Sequence, residues 1–120
     1  MTYSIVAKDK KTGAIGIAVA SRFFACGAMV PFVAQNVAVA SQAFCNPLWG
    51  IEGRDRLNAG EKADVILKDF VKRDAGQSIR QAHMIDRYGN THAHTGKDLS
   101  LIHISEPTRQ EAISYAVFCL

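Results

Sequence analysis

Cysteine is sparse: Cys26, Cys45 and Cys119 form no CxxC pair and leave an odd count. That argues against a disulfide framework or a zinc ribbon, and the expectation is reduced thiols in a cytoplasmic protein. Long apolar runs are also missing, so no segment reads as a transmembrane helix. The first residues lack the basic-then-apolar pattern of a secretory signal. No polybasic tract is present either. The 14 Lys and Arg outnumber the 11 Asp and Glu by a net charge of only +3. The densest basic pieces, Lys8 to Lys11 and Lys68 to Arg73, are broken by acids. This is a solvated-surface pattern, which excludes nucleic acid and membrane as expected partners. Proline occurs three times, so each one is a landmark.

What is present begins at the first residues. Met1 to Ala7 and Ala14 to Arg22 are β-prone runs around Asp9-Lys10-Lys11-Thr12-Gly13. The Asp start and late Gly suit a type I turn closed by a residue at positive φ. A hairpin is therefore expected, tying the N-terminus into a sheet. Ala14 to Ala20 is apolar at every position, so both faces of that sheet are expected to be covered. Pro31 makes Val30 to Val33 an edge strand or a loop, and Val37 to Gln42 reads as an interior strand.

Asn46-Pro47 starts a helix, Asn as cap and Pro in the first turn, running towards Leu57 despite Gly50 and Gly53. Glu61 to Arg73 is the clearest helix, with Ala63, Ile66, Leu67 and Phe70 at i, i+3, i+4 and i+7. Ser78 to Ile85 and Thr91 to Thr95 then form a second hairpin around Asp86-Arg87-Tyr88-Gly89-Asn90. A three-residue loop pairs Met84 with His92 and Ala82 with His94. Strands precede helices without βαβ alternation, so the class is α+β with antiparallel pairing.

From Leu99 the wording changes. By pattern alone, Leu99 to Ile104 and Ile113 to Leu120 are two strands around Glu106-Pro107. LSLIHISEPTR, however, is similar to the in-frame translation of a transposon adapter used in building sequencing libraries. ISYAVFCL resembles the primer that follows it, and Gln110-Glu111-Ala112 sits where an index would be read. Residues 99–120 are therefore expected to be a non-native tail and residues 1–98 a truncated domain. His103 and Cys119 are set aside as candidates.

The opening MTYSIVAKDKKTGAIGIAVASRFFACGAMVPF, then SQAFCNPLWG and AHTGKD, closely resembles a bacterial and archaeal group, the domain-of-unknown-function 1028 family, across residues 1–98. The resemblance implies an N-terminal-nucleophile (Ntn) hydrolase-like fold, two stacked antiparallel sheets between helical layers, and with it amide-bond hydrolysis. Some members carry a peptidoglycan-binding module, which hints at peptide-like substrates. In such hydrolases the nucleophile is the first residue after processing, here Thr2. Ser21-Arg22 echoes the polar-residue-and-Arg strand end of the proteasome-like subgroup. That subgroup's supporting lysine has no counterpart within Gly27 to Val33.

The residues themselves allow this chemistry. Threonine is small enough for the initiator methionine to be removed, and its freed α-amine can then act as base for its own hydroxyl. Ser21 and Arg22 could orient that nucleophile or bind a carboxylate, or be a strand-end Ser and an exposed cation. Asn46 could donate its amide to an oxyanion or simply cap a helix. Cys26 and Cys45 lack a basic partner in sequence and read as small packing residues. His92 and His94 share a strand face, a metal pattern that loses its third ligand because His83 points the other way. No metal or cofactor is expected. The partner is a small-molecule or peptide-like substrate, with a homo-oligomer left open. The alternative class is a non-catalytic binding or assembly domain whose first strand merely begins with threonine.

Overall fold

The computed structural model describes residues 2–99, 105–109 and 113–119. Strand β1 (Thr2–Asp9) turns into β2 (Ile15–Ser21) as the turn residues require. The Asp9 carboxylate accepts from the Lys11 N–H (2.9 Å) and the Thr12 hydroxyl (2.7 Å). Gly13 takes φ +74°. The Thr12 hydroxyl, then the Lys11 N–H, hold the Asp9 carboxyl below its ordinary pKa.

A short helix α1 (Cys26–Met29), not expected from the sequence, leads to the edge strand β3 (Pro31–Ala34) and to β4 (Val37–Ala43). Helices α2 (Pro47–Asn58) and α3 (Ala63–Arg73) precede the hairpin β5 (Arg80–Ile85) and β6 (Thr91–Thr95). Strands β7 (Ser105–Arg109) and β8 (Ile113–Cys119) follow. Most of the strand expected over Leu99 to Ile104 lies outside the described residues. All pairings are antiparallel. One sheet has the order β2-β1-β8-β7 and the other β3-β4-β5-β6. The β5–β6 register matches the expected one, Met84 with His92 and Ala82 with His94. The class is α+β with antiparallel sheets.

Three layers result. Helices α2 and α3 cover the outer face of the second sheet, where Val37, Val39, Ala82 and Met84 meet Trp49, Leu57, Ile66, Leu67 and Phe70. The opposite face, Ala38, Ala40 and Ile85, packs on Val6 of the first sheet. Strand β4 is thus buried on both sides, as its unbroken apolar run requires. Ala63, Ile66, Leu67 and Phe70 are the buried stripe of α3. Glycines that would weaken α2 as an isolated helix are needed where it docks. A Cβ on Gly50 would lie 2.1 Å from the Phe32 ring, and one on Gly53 2.9 Å from the Met84 methyl. On the surface, Arg56 joins the two helices, donating to Asp69 (2.5 Å), Glu52 (3.2 Å) and Glu61.

Two expectations need correction. The segment before β5 begins as a 3-10 turn over Gln77–Ile79, because the Asp74 carboxylate accepts the Gly76 N–H and the Arg80 Nε. In the first sheet, in turn, β1 and β2 are covered on only one face among the described residues. Tyr3, Ile5, Gly16, Ala18 and Ala20 are exposed on the other among the described residues. There Tyr3, Ile5, Ala18 and Ala20, with Ser4 and Val19, line a 330 Å³ groove. Strand β2 is apolar on both sides, but nothing described here covers that outer side. Among the described residues no helix is long and apolar enough to cross a membrane.

Candidate functional site

Alternation along β1 sends Thr2, Ser4, Val6 and Lys8 to the face that meets the second sheet. Thr2 is the first residue of the strand and pairs with Ser21, the last residue of β2. Their hydroxyls are 2.9 Å apart, and Thr2 is 8% exposed. Ser21 Oγ also accepts the Phe23 N–H at 3.0 Å. Two of the residues singled out from sequence are therefore brought into direct contact. A hydroxyl beside a potential nucleophile can donate to the oxygen as its proton leaves, and the Phe23 N–H fixes where that hydroxyl sits. Arg22 is exposed and makes no ion pair among the described residues.

Asn46 is placed differently. Its Oδ1 accepts the Leu48 N–H (3.0 Å) at the start of α2, and its Nδ2 donates to the Asp74 carboxylate (3.1 Å). It caps the helix and shares no hydrogen bond with Thr2, Ser21 or Arg22 among the described residues. Cys26 and Cys45 are both half-buried free thiols, and Cys26 packs against the cluster that includes Val6 and Val30. His94 bonds the Gln77 carbonyl at 2.9 Å and sits against the Trp49 ring, while His92 is exposed. Among the described residues no cluster of three metal-ligating side chains occurs.

Two features were not found from sequence. The first is a polar chain sealed between the sheets. Ser4 Oγ donates to Gln42 Oε1 (2.6 Å), Gln42 Nε2 to Gln81 Oε1 (2.7 Å), and Gln81 Nε2 to Thr95 Oγ1 (3.1 Å). His83 Nε2 lies 2.7 Å from Ser4 Oγ. A serine and a histidine at this distance resemble a nucleophile and its base. The proton count argues otherwise. The single Ser4 proton goes to Gln42, so Nε2 must carry the imidazole proton and donate it to Ser4. Burial pushes the His83 pKa down to about 3, and Ser4 is 3% exposed. The pair is a neutral tie between sheets, out of reach of a substrate.

The second is Lys8, buried on the same face with its ammonium on the carbonyls of Asn36 (3.4 Å) and Arg87. It stands six residues along β1 from Thr2, roughly 20 Å at strand rise, too far to assist a hydroxyl there. Contacts between residues far apart in sequence, such as Ser4 with His83, leave no signal in the strand pattern alone.

A family model described as a family of unknown function, DUF1028, matches residues 2–115. The crystal structure of protein SPO2555 from Silicibacter pomeroyi, assigned to the same family, superposes with a TM-score of 0.85 at 30% sequence identity. The match covers 99% of this chain and 55% of that one, so this chain spans about half the length of its relative. No curated protein matches the chain.

Proposed function

The chain belongs to the DUF1028 family, and on that premise we propose that it is the N-terminal part of an amide-bond hydrolase whose nucleophile is Thr2. The observation that carries this reading is the Thr2–Ser21 hydroxyl pair, 2.9 Å apart at the first rung of the β1–β2 pairing. Removal of Met1 would free the Thr2 α-amine, with an unperturbed pKa of about 7.7–8.0, near enough to neutrality to accept the hydroxyl proton. Thr2 Oγ1 would attack the carbonyl carbon while the α-amine takes its proton. Ser21 would donate to the nucleophile's oxygen as charge develops. Backbone N–H groups or the Asn46 amide would hold the oxyanion, Asn46 only through the amide hydrogen that Asp74 does not take. The α-ammonium would return its proton to the leaving amine, and water would then cleave the acyl-threonine ester. Arg22 is the cation available for a substrate carboxylate. The reaction needs no cofactor.

In this reading the two sheets are the inner layers of a four-layer Ntn-hydrolase-like fold. The exposed face of Tyr3, Ile5, Ala18 and Ala20 is where a further helical layer would rest. That open face also favours a second reading, a non-catalytic assembly domain that joins a partner there. Mass analysis of the N-terminus of the full-length protein separates the two, because retained Met1 locks the amine in a peptide bond. The activity test is a Thr2 series. Thr2→Ala should abolish amide hydrolysis with the melting temperature nearly unchanged. Thr2→Ser should keep measurable activity, and one extra residue ahead of Thr2 should be as inactive as Thr2→Ala. Full activity in Thr2→Ala refutes the assignment.

A further inference from the structure

Three phenylalanines stand in solvent around the end of the sandwich that carries Thr2. Phe24 is 92% exposed, Phe44 68% and Phe23 56%. Their placement follows from pairings already described. Phe23 N–H is bonded to Ser21, the partner of Thr2. Strand β4 runs opposite to β1 across the sheets: Asn36, just before it, meets Lys8, and Gln42 meets Ser4. Phe44, two residues beyond Gln42, therefore lies at the Thr2 end of the second sheet. Its N–H and carbonyl are held by Ile79 and Arg80.

The backbone next to these rings is strained. Ala25, directly after Phe24, has φ +57°, and Ala43, directly before Phe44, has φ +67°. Alanine enters this left-handed region at an energetic cost that glycine avoids, and such strain gathers at ligand sites. Both strained alanines thus adjoin rings that the fold leaves unburied, one in the segment after β2 and one at the end of β4.

We infer that Phe23, Phe24 and Phe44 form the receiving surface for a large apolar, aromatic or branched aliphatic side chain on the acyl side of the scissile amide. This rests on the hydrolase reading, because the position of the rings is defined relative to Thr2 Oγ1. A carbonyl brought to that oxygen reaches the end of the sandwich at which these rings stand. An apolar substituent next to the carbonyl would shield them from water, whereas a charged one would lose hydration without gaining a partner.

The test uses the full-length, Met1-processed protein and amino-acid 4-nitroanilides with phenylalanine, leucine, alanine, glutamate or lysine as acyl group. The phenylalanine and leucine substrates should exceed alanine at least tenfold in kcat/KM. Phe24→Ser and Phe44→Ser should collapse that ratio towards one, mainly through KM, and Phe24→Leu should restore most of it. Equal use of alanine and phenylalanine, or a ratio untouched by both Ser variants, overturns the inference and leaves the hydrolase reading standing. If no anilide is cleaved, binding of N-acetyl-phenylalaninamide to Thr2→Ala, followed by saturation-transfer NMR, decides separately. Binding lost in Phe24→Ser supports the apolar site, the nucleophile being judged separately by the Thr2 series, and absence of binding overturns it. A shift from dimer to monomer in the Ser variants with specificity unchanged would assign the rings to a second copy, which also overturns it.

Discussion

Acid should loosen this protein through His83 before it reaches most carboxylates. The ordinary histidine value of 6.5 describes the unfolded chain, whereas burial lowers the native value to about 3. Between those values the unfolded state holds a proton that the native state lacks, so stability rises with pH across the window. It is lost as pH falls below 6.5, at about 1.4 kcal/mol per pH unit. At about pH 4.5 the loss is roughly 2.7 kcal/mol relative to neutral pH, a large share of an ordinary domain's stability. Asp9, Asp64, Asp69 and Glu61 are all held below their usual values by hydrogen bonds from neighbours, so their share of the pH dependence begins only near their unfolded values, at the acid end of this window. Urea unfolding at several pH values from about 7 to about 4.5 gives the slope. His83→Gln can still donate an N–H to Ser4 but does not titrate, so its stability should fall far less than that of the wild type over the same range. A flat wild type, or a variant with the wild-type slope, would refute the buried neutral imidazole.

Gly50→Ala should lose about 1–2 kcal/mol in the same assay, since the new methyl meets the Phe32 ring and overpacking outweighs about 1 kcal/mol of gained helix propensity. Gly27→Ala, where a Cβ meets nothing within 4 Å, should be near neutral. For the tail, an adapter-free genomic read from the source should diverge from this sequence at or just before Leu99, and finding ISYAVFCL encoded there would end the adapter reading.

Local chemistry was the legible part. Asp9 with Gly13 and Asp86 with Gly89 announced both hairpins, because an Asp that bonds its own following backbone and a late residue at positive φ leave few alternatives. The loop length around Tyr88 then fixed the β5–β6 register, and apolar spacing fixed the buried stripe of α3. Contacts between sheets were not legible. Alternation puts Ser4 on the inner face of β1 but does not say that His83, 79 residues away, will meet it. The propensity penalty on Gly50 and Gly53 pointed away from a firm helix, whereas close docking on Phe32 and Met84 is what requires them. Apolar residues on both sides of β2 suggested cover that no described residue supplies. Of the site, Thr2 and Ser21 could be named in advance, but their contact depended on the hairpin register. The exposure of Phe24 was invisible because an aromatic residue in sequence normally reads as core.

The β1–β2 pairing also has a consequence in time. A hairpin closes from its turn outward within microseconds, so Asp9 and Gly13 meet first and the Thr2–Ser21 rung meets last. The same rung is the first to fray. An aminopeptidase that trims the initiator residue needs an extended, unpaired chain end, and the last rung of a zipper provides one repeatedly while the distant strands are still being synthesised. Once the second sheet closes over Ser4, that traffic stops. On the proposed mechanism, maturation would therefore be a race between trimming and closure, with the stiffness of a turn at the far end of the hairpin helping to set how long the gate stays open.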